Sequence, residues 1–179
     1  MIRSVLFLCV LVLTGCDLKE RKKTASENSA YVKIELPPAD SLGIPVYNFD
    51  ELEPLLNRKD DKTYIINFWA TWCAPCIKEL PYFEKINREG RANNWMVILV
   101  SLDMRSMWKS KLIPFIRNKN IQSEVVVLDD PDQNSWIPKI DKNWSGAIPA
   151  TLIYNRNKRK FYEQTFTYEM LNEELNEFK

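Results

Sequence analysis

Two cysteines three residues apart, in the segment FWATWCAPC at 68–76, constrain this chain more than any other feature. The apolar run YIINFWA at 64–70 precedes them, which is typical of a strand buried on both faces. The stretch APCIKELPYFEKINRE at 74–89 follows and has helical spacing, with Pro81 as a predicted kink. The order of strand and helix predicts that Cys73 lies at a helix N-terminus.

That position suits cysteine chemistry, because cysteine reacts as the thiolate. A helix N-terminus carries partial positive charge and unpaired N–H groups, and both stabilise an anion. Cys76 follows one turn later on the same face, where it can attack a mixed disulfide formed by Cys73. Pro75 fits the first helical turn, where its missing N–H costs little. A buried inert pair and a Cu(I) site built on soft thiolates remain the alternatives.

Composition removes several classes of function. The chain of 179 residues contains no histidine, which excludes histidine general bases, Cys-His dyads and most zinc and copper sites. Its formal net charge is +1, with Lys and Arg scattered along the chain, so nucleic acid is not expected as a partner. Cys9 and Cys16 belong to the N-terminal targeting segment described next, so only Cys73 and Cys76 remain in the folded domain, and no second pair exists for tetrahedral zinc. We therefore expect no metal and no cofactor.

The N-terminal residues read as a targeting signal. Arg3 precedes a short apolar stretch, VLFLCVLVL, which is too short for a transmembrane helix. The sequence LTGC at 13–16 resembles the lipobox of bacterial lipoproteins, which implies lipid on Cys16. An ordinary signal peptide cleaved nearby is the alternative. We predict a signal peptide at 1–15, a lipid-anchored flexible tether at 16–43 and a folded domain at 44–179.

The folded part alternates strands and helices. Strands are predicted at PVYN, TYIINFWA, WMVILVSL and EVVVL, and a hairpin is predicted from ATLIYN and KRKFYEQ around Arg156 and Asn157. Helices are predicted at FDELEPLLN, 74–89, 105–119, 133–140 and the closing YEMLNEELNEF. This order indicates an α/β fold with a central mixed sheet and helices on both faces.

The motif FWATWCAPC is similar to the active-site motif of thioredoxins. The region from about 44 to 179 resembles the TlpA/ResA-like, membrane-anchored branch of that family, whose members are thiol-disulfide oxidoreductases. The resemblance implies a thioredoxin fold with a helix-strand insertion between WMVILVSL and SGAIPATLIYN. It also implies a redox-active disulfide between Cys73 and Cys76.

A second element of the resemblance is GAIPATLIYN, where thioredoxins carry a cis-proline that faces the cysteines. Pro149 occupies that position, although only about 5–6% of X–Pro bonds are cis in general. The resemblance implies that substrate binds at Trp72, Ala74, Pro75, Ile148 and Pro149. We expect Trp69 and Ala147 to line the same apolar surface, with core packing as the alternative for both tryptophans.

One position departs from the thioredoxin pattern. Many thioredoxins carry a buried Asp in the strand before the motif, and Asn67 stands there instead. Membrane-anchored relatives often carry a Glu three residues after the second cysteine, and Glu79 occupies that place. The resemblance implies that Glu79 takes a proton from Cys76, with a solvated surface Glu as the alternative.

Together these observations predict a lipid-anchored enzyme of the bacterial envelope that faces the periplasm and reduces disulfides of exported proteins. Its partners are substrate proteins with disulfides or thiols, an upstream thiol electron donor and the membrane. Two other classes remain open. One is a thioredoxin-fold binding module or Cu(I)-handling lipoprotein without disulfide turnover. The other is a peroxidase, although its usual T-x-x-C arrangement is not evident.

Overall fold

A computed structural model describes residues 43–179, apart from the side chain of Arg91. The predicted signal peptide, the lipidation site Cys16 and nearly all of the predicted tether lie outside this range, so these three features stay predictions. Within residues 43–179, none of the helices has the length and apolar character needed to cross a membrane.

Six strands form one sheet in the order β1-β4-β3-β2-β5-β6. Strands β1 to β4 are mutually parallel where they pair, whereas β5 is antiparallel to β2 and β6 is antiparallel to β5. The strands are β1 (Val46–Tyr47), β2 (Thr63–Trp69), β3 (Trp95–Ser101), β4 (Glu124–Leu128), β5 (Ala150–Tyr154) and β6 (Arg159–Tyr162). Each lies where the sequence predicted it, and the predicted hairpin at Arg156 and Asn157 is the β5–β6 connection.

The helices also follow the prediction, with changes at their ends. A 3₁₀-helix, Glu53–Leu56, continues α1, and α2 passes through Pro81 and ends four residues later than predicted. The α-helices are α1 (Phe49–Leu52), α2 (Ala74–Asn93), α3 (Arg105–Met107), α4 (Ile113–Asn118), α5 (Gln133–Ile140) and α6 (Tyr168–Asn176). A π-helical turn, Trp108–Leu112, joins α3 to α4. Pro114, the second residue of α4, has no N–H to donate to the preceding turn.

The sheet is covered on both faces, as the sequence predicted. On one face α2, the α3–α4 segment and α6 bury a core around Ile65, Leu99 and Phe83. On the other face α1 and α5 bury a core around Ile66 and Val100. All seven residues of β2 are buried, because β2 pairs with β3 on one side and β5 on the other. The carboxyl end of this central strand leads directly into the Cys73–Cys76 segment.

Candidate active site

Cys73 and Cys76 form a disulfide at the start of α2, with their Cα atoms 5.3 Å apart. Cys73 is the N-cap of this helix, and its Sγ accepts a hydrogen bond from the backbone N–H of Cys76 at 3.3 Å. Pro75 lies in the first helical turn, where no intrahelical N–H is lost. The sequence prediction that Cys73 lies at a helix N-terminus is therefore confirmed.

The two sulfur-bearing residues differ in access to solvent. Cys76 is fully buried, and Cys73 is 5% exposed in this disulfide form. Cys73 is largely covered because the loop of Ile148 lies over it: the Ile148 carbonyl oxygen lies 3.7 Å from Cys73 Sγ. Cys73 is still the more accessible of the pair, and Ala74 and Pro75 beside it are exposed.

Trp69 does not belong to the predicted apolar surface. Trp69 is fully buried and its ring packs on Phe115 at a centroid distance of 5.4 Å, so its place on a docking surface was wrong. As the last residue of β2, Trp69 directs its side chain into the core beneath the α3–α4 segment. Trp72, in the turn after the strand, is 55% exposed, and Ala147 is exposed as well.

The loop before β5 faces the disulfide. Its Ile148–Pro149 peptide bond is cis, as the resemblance implied. Trp144 Nε1 donates a hydrogen bond to the Ala147 carbonyl oxygen at 2.8 Å, which fixes the loop from its core side. Pro149 is buried and Ile148 is half-buried, so any contact with a substrate involves mainly Ile148 and the backbone.

Glu79 is a buried carboxyl and not a solvated surface residue. It is 1% exposed, and its two oxygens accept hydrogen bonds from Asn67 Nδ2 at 2.9 Å and from the Phe166 backbone N–H at 2.8 Å. Burial raises the pKa of Glu79 to about 7, although the two N–H donors oppose the shift. A carboxyl with this pKa can take up and release a proton near neutral pH.

A cleft of about 350 Å³ lies beside this carboxyl, between α2 and the segment that precedes α6. Pro75, Lys78, Tyr82 and Thr165 line the cleft together with Glu79 and Phe166. Lys78, Tyr82 and Thr165 are exposed, so the cleft opens at the surface close to the first turn of α2. It offers a short route by which a proton on Glu79 can reach solvent.

Sequence reasoning found the residues of the C-x-x-C segment but missed several partners. It noted Asn67 only as a departure, whereas Asn67 holds Glu79 and also donates to Thr151 Oγ1 at 3.2 Å. It missed Asp103, which lies two residues after the end of β3 and accepts hydrogen bonds from Thr71. A signal existed, because parallel strands β2 and β3 bring their carboxyl ends together.

A C-x-x-C disulfide at the N-terminus of the helix after the central strand, opposite a cis-proline loop, defines the thioredoxin-like class of proteins. Solved structures agree on the fold. StoA from Bacillus subtilis aligns with a TM-score of 0.51 at 22% identity, covering 66% of this chain and 84% of that chain. A thioredoxin-family thiol:disulfide interchange protein from Chlorobium tepidum aligns with a TM-score of 0.53 at 17% identity, covering 65% and 79%.

The AhpC/TSA family model matches residues 51–159, which is more than half of the chain, and the chain belongs to this family. The thiol-disulfide oxidoreductase ResA of Oceanobacillus iheyensis is 37% identical over 100 residues, covering 56% of this chain and 50% of the relative. The thioredoxin-like protein YneN of Bacillus subtilis is 54% identical over 89 residues, covering 48% and 47%. The chain thus spans about half the length of these curated relatives.

Proposed function

We propose that this protein is a thiol-disulfide oxidoreductase that reduces disulfides of exported proteins. The observation that carries the proposal is the Cys73–Cys76 disulfide at the N-terminus of α2. Cys73 Sγ accepts a hydrogen bond from the Cys76 N–H and lies beside the Ile148 carbonyl oxygen. The relatives named ResA are thiol-disulfide oxidoreductases, which supports the same chemistry here.

The reaction starts from the reduced dithiol. The Cys73 thiolate attacks a substrate disulfide, so that a mixed disulfide forms and one substrate thiolate leaves. Cys76 then loses its proton and attacks Cys73 Sγ. This step forms the Cys73–Cys76 disulfide, releases the second substrate thiolate and transfers two electrons in total. An upstream thiol donor restores the dithiol by the reverse exchange.

Glu79 is the proton acceptor for Cys76 in this proposal. It lies three residues after Cys76 on α2, which places the two side chains on the same face of the helix. Its pKa of about 7 suits it to accept a proton directly or through one water. The adjacent cleft then gives that proton a route to solvent.

Substrate binding is proposed at the exposed surface around the disulfide. Trp72, Ala74 and Pro75 lie on the α2 side, and Ile148 with the backbone beside Pro149 lies opposite. An extended substrate segment can form backbone hydrogen bonds next to the cis-proline, while its apolar side chains contact Trp72.

The reducing direction rests on the residues between the cysteines. Ala74 and Pro75 carry no charge that would stabilise the Cys73 thiolate, whereas strong oxidants stabilise the reduced form heavily. We expect a reduction potential of roughly −270 mV. A value of roughly −120 mV would contradict a reductant, because the difference corresponds to about 7 kcal/mol. Titration in glutathione or dithiothreitol buffers, read by the mass of alkylated protein, measures it.

The catalytic claim is tested by insulin reduction with dithiothreitol as electron donor. Wild type should accelerate precipitation of the insulin chains, and Cys73→Ser should reduce the rate to that of dithiothreitol alone. A wild-type rate equal to the uncatalysed rate would instead favour a binding module without turnover.

The location is part of the same proposal. The LTGC sequence at 13–16 supports a lipoprotein signal at 1–15, lipid on Cys16 and a tether at 16–43 that holds the domain near the membrane, facing the periplasm. One solved structure with a similar fold is that of a secreted disulfide oxidoreductase of Mycobacterium tuberculosis, which supports an envelope location.

A further inference from the structure

Asp103 is a buried acidic residue that the dithiol chemistry does not use. It is 3% exposed and lies two residues after Ser101, the last residue of β3. Its carboxylate accepts hydrogen bonds from the Thr71 backbone N–H at 3.0 Å, from Thr71 Oγ1 at 2.5 Å and from Ser101 Oγ at 2.9 Å. A buried carboxylate is stable only when such donors replace water, so these contacts are a built arrangement and not a chance approach.

The backbone of Asp103 is also held by hydrogen bonds. Its N–H donates to Ser101 Oγ at 3.1 Å, and its carbonyl oxygen accepts a hydrogen bond from Trp108 Nε1 at 2.6 Å. One residue earlier, the Leu102 N–H donates to the Trp69 carbonyl oxygen at 2.8 Å. Asp103 is therefore a rigid point, held by both the end of β2 and the π-helical turn.

Thr71 connects Asp103 to the redox site. It lies in the turn between Ala70 and Cys73, which the Cys73 N–H closes by donating to the Ala70 carbonyl oxygen at 3.1 Å. With Thr71 held at both its N–H and its hydroxyl, the turn has little freedom to rotate. This turn therefore determines the position of Cys73, the N-cap of α2.

We propose that Asp103 is a positioning residue of the redox site, which acts through Thr71 to hold Cys73 Sγ at the N-terminus of α2. In the reduced protein this position stabilises the Cys73 thiolate, because the sulfur accepts the Cys76 N–H and faces the positive end of the helix. Loosening the turn should raise the pKa of the Cys73 thiol. The inference rests on the proposed function only in treating Cys73 as the attacking thiol.

A charge effect of Asp103 predicts the opposite sign. A carboxylate near a thiolate repels it, so removing the charge alone should lower the pKa of Cys73. The ionisable groups near the first turns of α2 are the Cys76 thiol, the Glu79 carboxyl and the Lys78 ammonium, which lines the same cleft as Pro75 and Glu79. Asp103 contacts the preceding turn through Thr71. Substitutions at Asp103 and Thr71 leave the groups on α2 in place, so a shift in the Cys73 titration reports on the turn or on the Asp103 charge.

The experiment measures the rate of iodoacetamide alkylation of Cys73 against pH in the reduced full-length protein, with the adduct located by mass spectrometry. Asp103→Asn and Thr71→Val should both raise the midpoint, by about one pH unit for Asp103→Asn, which is about tenfold less thiolate at neutral pH. Thr71→Ser keeps both donors and should retain the wild-type midpoint. Asp130→Asn is the matched control, because Asp130 accepts the Phe49 and Asp132 N–H groups after the neighbouring strand β4.

Two outcomes overturn the proposal. Unchanged midpoints in folded Asp103→Asn and Thr71→Val would show that Asp103 only stabilises the fold, and a lowered midpoint in Asp103→Asn would show a charge effect. Circular dichroism establishes that each variant is folded. If Asp103→Asn does not fold, the comparison of Thr71→Val with Thr71→Ser decides. Alkylation needs no turnover, so its result is independent of the insulin assay that tests the proposed function.

Discussion

Glu79 and Asn67 illustrate how two neighbouring side chains set the properties of the site. The Asn67 side-chain amide does not ionise, and its Nδ2 donates a hydrogen bond to the buried Glu79 carboxyl. A hydrogen bond to the charged form favours ionisation, whereas burial opposes it. The pKa of Glu79 is therefore about 7, lower than burial without these hydrogen bonds would make it.

This balance predicts a pH-dependent contribution to stability. The folded state raises the pKa of Glu79 from 4.5 to about 7, so the contribution is fully present below about pH 4.5 and is lost as pH rises through about 7. The free energy of unfolding of Glu79→Gln, measured relative to that of wild type, should therefore increase by roughly 2–3 kcal/mol as the pH rises from about 5 to about 8. Urea unfolding of both oxidised proteins measures the difference, and a gap that does not change with pH would contradict the prediction.

The order of attack is a second prediction at this scale. Cys73 is the more accessible cysteine and Cys76 is fully buried, so Cys73 should form the mixed disulfide and Cys76 should resolve it. Cys76→Ser should accumulate mixed disulfides with a peptide substrate, whereas Cys73→Ser should form none. Non-reducing electrophoresis with mass spectrometry distinguishes them. The reverse pattern would exchange the two roles.

At the scale of elements, the helix α2 depends on its close approach to β3. Gly90 lies in its last turns, and a Cβ atom there would stand 2.5 Å from the Trp95 carbonyl oxygen. The chain leaves α2 through Asn94 in the left-handed conformation and enters β3 at once, so neither element is free to move away.

Gly90→Ala should consequently destabilise the protein by about 1–3 kcal/mol, because overpacking against backbone outweighs the gain of about 1 kcal/mol expected from helix propensity. Arg88→Ala, at an exposed position of the same helix, is the control and should change the stability little. Thermal unfolding of the three proteins measures the effect. A stabilised Gly90→Ala would show that β3 can shift to admit a methyl group.

At the scale of the whole molecule, redox state and folding stability are linked. A reductant holds its disulfide form more tightly than its dithiol form, whereas a strong oxidant stabilises the dithiol. We expect the oxidised protein to unfold at a higher urea concentration than the reduced protein at neutral pH. Parallel urea titrations with and without dithiothreitol test this, and a more stable reduced protein would favour an oxidant.

Attachment to the membrane is the other prediction for the whole chain. The sequence LTGC at 13–16 predicts that the processed protein carries lipid on Cys16. Inhibiting lipoprotein signal peptidase should accumulate a precursor that retains residues 1–15, and Cys16→Ala should release the protein from the membrane fraction. Intact mass analysis showing an unmodified Cys16 in the native host would refute the anchor.

The local sequence was enough to predict the elements and the dithiol. Apolar runs such as TYIINFWA indicate strands that are buried on both faces. A strand followed by C-x-x-C and a helix places Cys73 at a helix N-terminus through local geometry alone. Only the tertiary structure decided which distant groups meet there. Trp69 is buried because Phe115 covers it, and Glu79 is buried because Asn67 and Phe166 approach it from other elements. Asp103 reaches Thr71 because β2 and β3 end side by side, a contact between residues 32 positions apart that no local pattern encodes.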